Sequence, residues 1–316
     1  MLSLKLHMST NESKHLKDYI SGEKVNATAE EIDSVQPFSQ KLVEEYGYPR
    51  EHIQTRPQYR VKNTPSDEVK KYPVDIAVFE DEKHSDENIK IIVECKQKNR
   101  KEGVTQLKDY LSLSRANLGV WFNGEDISFW HKVEKDGKLI FNEIPNIPNY
   151  GQRLEDLDKF KRKDLKGSEN LKSNFQLIRN YLAANNIGTT RDEQLARQII
   201  NLLFCKIYDE RFTKPDDFLT FRAGINEEAS LVKERIENLF ETVKRKYRDV
   251  LDQNEEINLD PKSLVFTIGI LQDYCLMDSA RDAVADAFET FIGPSLKGDK
   301  GQFFTPRNVV QMMIDV

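Results

Sequence analysis

The sequence predicts an α+β or α/β fold. A mixed sheet flanked by helices comes first, and an all-α region follows. Three observations predict this. Apolar runs rich in β-formers (Val74–Phe79, Ile89–Lys96, Leu118–Phe122, Ile127–Trp130) crowd the first 150 residues, with turn dipeptides between them. In one run, Ile91, Ile92 and Val93 are apolar on both faces, which marks a central strand. Beyond Pro145, Pro148 and Gly151 the apolar residues change to helical spacing. The expected domains are residues 1–150, a helical connector over 151–297, and the start of a further domain over 298–316.

The elements are expected in this order. A polar lead-in carries a short helix around His15–Ile20. A helix runs from about Ala27 to Tyr46, with Gly47 placed as its C-cap. Glu30 and Glu31 open it, where acids complement the helix dipole. Gln54–Val61 alternates as a first strand, and Val74–Phe79 and Ile89–Lys96 are the second and third. Val104, Leu107 and Leu111 mark a helix, and Gln106 and Tyr110, four apart, share one of its faces. Asn123-Gly124 and Asp136-Gly137 signal hairpins. Trp121 and Trp130 read as sheet core. Asn174–Ala184 is helical. Thr190 and Glu193 form a capping box for the next helix. Asn226 heads a long amphipathic helix, and Asp260-Pro261 opens another.

Composition bounds the function. The chain has 316 residues, 38% hydrophobic and 32% charged, which implies two domains or more with ample core. The net charge of -6 gives no global footprint for nucleic acid, so DNA binding must rest on local basic patches. Lys96–Lys101 and Lys159–Lys166 are the two candidates; each also reads as a solvated charged loop. Cys95, Cys205 and Cys275 are isolated in apolar runs, with no metal or disulfide spacing, so a reducing cytoplasm is expected. No apolar stretch approaches a membrane span.

The chemistry concentrates in Tyr72-Pro-Val-Asp75 and Glu94-Cys95-Lys96. Glu94 and Lys96 are two apart, so a strand puts both on one face. Asp75 lies within a neighbouring apolar run, where an uncompensated acid is costly. Carboxylates with a lysine at a sheet end suit Mg²⁺ and phosphate oxygens. The pattern Asp75…Glu94-x-Lys96, with Pro73 two residues before Asp75, resembles the PD-(D/E)XK nucleases. The helix carrying Gln106 and Tyr110, directly after Glu-x-Lys, resembles the nuclease domain of type I restriction subunits. The resemblance implies metal ligation by Asp75, Glu94 and the Cys95 carbonyl, with Glu31 of the first helix as a further candidate. It implies catalysis by Lys96, with Gln106 and Tyr110 turned towards DNA.

At the far end, Gly301-Gln-Phe303-Phe-Thr305-Pro306-Arg307 is a clean helix start. It also resembles the opening motif of γ-class adenine-N6 DNA methyltransferases, where this loop lines the S-adenosylmethionine pocket. That implies cofactor contacts from Phe303, Thr305 and Pro306. No Gly-rich cofactor loop, Asn-Pro-Pro-Phe/Tyr motif or Walker motif is present. The chain is therefore expected to be the amino-terminal part of a longer type IIG or type I-like fused restriction–modification enzyme. Its expected partners are double-stranded DNA and a specificity subunit or C-terminal target-recognition domain. Two alternatives stay open: a catalytically silent DNA-binding or assembly module, and a different PD-(D/E)XK DNA nuclease.

Overall fold

The computed structural model describes residues 14–62, 71–167, 171–185, 192–249 and 251–277, and residue 290. The expected contacts of Phe303, Thr305 and Pro306 and the capping residue Thr190 lie outside the described residues. Two compact units divide the chain: residues 1–124 with 130–142, and residues 125–129 with 143–316.

The first unit is a mixed sheet with helices. It opens with a hairpin of β1 (His15–Lys17) and β2 (Lys24–Asn26), not with the helix expected around His15–Ile20. The reason is Asp18. Its buried carboxylate accepts from the Ser21 N–H at 2.8 Å, and Gly22 takes a φ of +75°, so the chain reverses before a helical turn can form.

A π-helical turn, Glu31–Val35, runs into α1 (Gln36–Glu44), and Gly47 follows at a φ of +75°. The expected strand Gln54–Val61 is split into β3 (Ile53–Gln54) and β4 (Arg60–Val61). Pro57 lies in the gap and has no N–H to give a ladder. β4 pairs with β5 (Tyr72–Pro73) in a small separate sheet.

The main sheet has six strands, ordered β10-β9-β8-β7-β6-β3. They comprise β6 (Ile76–Phe79), β7 (Ile89–Cys95), β8 (Leu118–Phe122), β9 (Ile127–Lys135) and β10 (Lys138–Ile144), with β3 at the edge. β6 runs antiparallel to β7, and β7 parallel to β8. The parallel crossover is α2 (Val104–Ser112).

Strand alternation sorts the two faces. Ala77, Phe79, Ile92 and Trp121 cluster with Leu107, Tyr110 and Leu111 of α2. A Cβ on Gly119 would lie 2.7 Å from Leu111, so this glycine lets α2 sit close on the sheet. On the opposite face Phe38 of α1 packs on Phe122, ring centroids 5.2 Å apart.

At the expected hairpins, Asp136 and Gly137 both take positive φ, 54° and 70°, as a type I′ turn requires. Asn123-Gly124 does not form a two-residue turn. β8 ends at Phe122 and β9 begins at Ile127, and Asn123 is buried with its amide donating to the Arg100 carbonyl at 2.9 Å.

The second unit holds the helices α3 (Leu171–Asn185), α4 (Asp192–Phe212), α5 (Ala229–Lys246) and α6 (Pro261–Leu271). Asp260 caps α6 through the N–H groups of Lys262 and Ser263, both at 3.0 Å. α5 starts at Ala229, after Glu228 in extended conformation, so Asn226 is not its cap. Inside this unit Lys206 and Glu210 are fully buried and paired at 3.2 Å. Among the described residues no helix is long and apolar enough to cross a membrane.

Candidate active site

The site forms where β7 ends. In the antiparallel β6–β7 register Ile76 faces Val93, so Asp75, one residue earlier, falls opposite Glu94. Residues opposite each other project on the same face. Glu94 and Lys96 share that face by alternation, and the Lys96 ammonium donates to Glu94 Oε1. The Cys95 N–H donates to Asp75 Oδ2 at 2.8 Å, which fastens the acid to the strand bearing Glu94. The Cys95 thiol points to the other face, where it is buried and free.

Burial and crowding set the electrostatics. Glu94 is 2% exposed, and desolvation with the negative charge of Asp75 pushes its carboxyl up to about 8. Desolvation also raises Asp75, to about 6, against the opposing pull of the Cys95 N–H. Burial works against the charge of Lys96, but its bond to Glu94 prevails and holds the ammonium above the usual lysine range. Two buried acids with raised carboxyls, Glu94 pushed further by the charge of Asp75 and Asp75 by that of Glu30, meet at one spot.

The surroundings position these groups. Gly103, at a φ of +122°, passes close over the site: a Cβ there would lie 2.8 Å from Trp121 Nε1 and 3.1 Å from Lys96 Cε. Trp121 Nε1 donates to the Glu102 carbonyl at 3.0 Å, and Ser34 Oγ donates to the Lys96 carbonyl at 2.5 Å. α2 stands on the same face. Its Gln106 amide donates to the Tyr110 hydroxyl at 2.6 Å. Desolvation, with the charges of Glu94 and Asp75, raises the Tyr110 phenol.

Two adjacent acids on the first helix divide their roles. Glu31 is already engaged by other side chains. It is buried, bonded to Arg56 and to the Gln36 amide, which also donates to Asp18 at 2.9 Å. Glu30 is the acid whose negative charge reaches Asp75, Glu94 and Lys96. Neighbouring helical residues point in different directions, so the two acids act on different groups. The sequence signal for this was the Glu30-Glu31 pair itself, without its orientation.

Among the described residues no group of three or more His, Cys, Asp or Glu side chains is placed to hold a metal ion. The donor set present is Asp75 and Glu94, with the Cys95 carbonyl between Glu94 and Lys96 in sequence. The basic run after β7 is partly neutralised: Lys98 pairs with Asp33 at 3.6 Å and Arg100 with Glu102 at 2.7 Å.

This sheet unit and its site are similar to a nuclease-like domain of a restriction system. Residues 29–148 match the family described as the type I restriction enzyme R protein N terminus, which spans less than half of the chain. The match contains every residue of the site just described. A comparison with curated proteins gives no match.

Proposed function

We propose that this chain is a Mg²⁺-dependent endonuclease that hydrolyses phosphodiesters of double-stranded DNA. The observation that carries the reading is the β6–β7 register, which sets Asp75 opposite Glu94 with Lys96 on the same face. Hard carboxylate oxygens whose burial raises their affinity for protons, Glu94 further by the charge of Asp75, suit a divalent cation. The metal would be held by Asp75, Glu94 and the Cys95 carbonyl, with DNA phosphate oxygens filling further positions. When bound, it polarises the scissile phosphate and lowers the pKa of a water.

The chain's own groups do the rest. Lys96, released from Glu94, carries its ammonium to the phosphoryl oxygens, where negative charge develops. It also holds the attacking water in line. The Gln106–Tyr110 pair presents an amide and a hydroxyl to the DNA backbone beside the site. Gly103 keeps the loop close enough to confine the Lys96 side chain. Glu30 adds negative charge from the helix.

The proposal extends to the longer protein. Residues 298–316 are read as the start of an adenine-N6 methyltransferase, with Phe303, Thr305 and Pro306 on one wall of an S-adenosylmethionine pocket. Recognition is assigned to a specificity subunit or a C-terminal target-recognition domain, and the setting is the cytoplasm.

The test is cleavage of supercoiled plasmid with Mg²⁺ by the purified protein and by Lys96→Ala. Nicking by the wild type, abolished in the folded variant, is expected. In the full-length enzyme Lys96→Ala should leave adenine methylation nearly intact. Equal nicking by both proteins would overturn the assigned site, and none by either would overturn the nuclease reading in favour of a silent module.

A further inference from the structure

The helical unit carries an exposed aromatic and cationic face outside the site described above. Two bordering segments are rich in cations, of which Lys159, Lys163, Lys166 and Lys244 are ion-paired. Residues 159–166 contain Lys159, Lys161, Arg162, Lys163 and Lys166 against Asp164, and 244–248 contain Lys244, Arg245, Lys246 and Arg248, in a chain of net charge -6. The fold joins these segments to the end of α4. Arg162 Nε donates to the Glu210 carbonyl in the last turn of α4, and residue 161 forms a bridge with Phe218. The buried Asp209 carboxylate accepts from the N–H groups of Thr220 and Phe221, both at 2.7 Å. It thereby folds the loop bearing Phe218 back onto the helix bearing Phe212.

Two phenyl rings stand out of this surface. Phe212 is 47% exposed and Phe218 51% exposed, although each could have been buried at a gain. Each has a cation over one face: Lys246 lies 4.4 Å from the Phe212 centroid, and Lys161 lies 5.8 Å from that of Phe218. Among the described residues neither of these lysines forms an ion pair within 4.0 Å; the nearby Asp216 is paired with Lys163 at 2.5 Å. Tyr208 packs on Phe212 at 4.6 Å and on Tyr247 at 6.4 Å, which braces the outer ring from within.

We propose that this face binds an unpaired DNA strand, with bases stacked on Phe212 and Phe218 and phosphates held by Lys161 and Lys246. Exposed rings flanked by cations that form no ion pair within 4.0 Å match the two parts of a single strand, a π-face and a phosphate. Duplex DNA hides its base faces and would leave the rings without a partner. The choice of DNA among polyanions rests on the proposed nuclease function; the stacking geometry does not.

The experiment is fluorescence anisotropy of the full chain with a labelled oligothymidylate and with a labelled duplex, in EDTA so that no cleavage intervenes. Phe212→Ala with Phe218→Ala should weaken oligothymidylate binding by about 10-fold or more. Lys161→Gln with Lys246→Gln should weaken it and lower the salt slope by about 1.4, the loss of two single-strand phosphate contacts. The second pair keeps the rings, and circular dichroism checks that both variants fold. Unchanged binding in both variants, or duplex bound as tightly as the single strand, overturns the proposal. A protein that fails to cut yet shows these losses would sink the nuclease reading and leave this surface standing.

Discussion

The carboxylate of Asp75 and the main-chain N–H of Cys95 are joined across two strands by a 2.8 Å hydrogen bond. Asp75 lies just before the first paired residue of β6. Without this bond it would sit at a fraying strand end. With it, the acid is held beside the strand that carries Glu94 and Lys96, and a side chain far away in sequence becomes part of one site.

Replacement of Asp75 by Asn should therefore separate fold from function. The amide oxygen still accepts from Cys95, so the melting temperature should stay close to that of wild type. Plasmid nicking with Mg²⁺ should fall by at least about 100-fold, the scale of losing one electrostatic element of a catalytic site. Retained nicking would remove Asp75 from the site.

Glu30 and Glu31 should respond in opposite ways. Glu31→Gln breaks a buried pair with Arg56 and should cost ~1–3 kcal/mol in urea unfolding, with nicking preserved at low temperature. Glu30→Gln should leave stability unchanged and weaken Mg²⁺ dependence, read as a higher metal concentration for half-maximal nicking. The reverse pattern would return the role to Glu31.

The pH dependence of the metal-free protein follows from two raised carboxyls. Folded Asp75 and Glu94 hold protons to about 6 and about 8, above their unfolded values. The folded state binds more protons, so stability from this pair is full below the unfolded values and is lost as pH rises through 6 and 8. Mg²⁺ should offset that loss. Thermal melts should show a larger Mg²⁺-induced rise at pH 8.5 than at pH 5.5, and no such difference in Asp75→Asn with Glu94→Gln. A shift independent of pH would mean that the cation binds elsewhere.

In the helical unit, Lys206→Met should destabilise by roughly 3–5 kcal/mol, because it leaves Glu210 charged, buried and without its 3.2 Å partner. The Glu210 carboxylate also accepts from the N–H groups of Leu276 and Met277, at 3.0–3.1 Å. Adding Glu210→Gln should recover part of the loss, since glutamine keeps an acceptor there. Equal denaturation midpoints for the single and double variants would show that the cost does not come from the unpaired Glu210 charge.

What the sequence by itself determined was local. Alternation placed Glu94 and Lys96 on one face, and helical spacing placed Gln106 beside Tyr110, because strand and helix periods are properties of a short stretch. Asp136-Gly137 was readable for the same reason: positive φ at both positions is a demand on those two residues alone. Elements failed where a distant partner decided them. Thr55 and Gln36 hold the Asp18 carboxylate that turns the chain at Ser21, so His15–Lys17 became a strand. Asn123 was drawn inward by the Arg100 carbonyl. Only the tertiary structure decided the different partners of Glu30 and Glu31, that Gly103 must lack a side chain to pass Trp121 and Lys96, and that Phe218 returns to the end of α4. Each of these depends on groups brought together by strand register and helix packing, which no window of sequence contains.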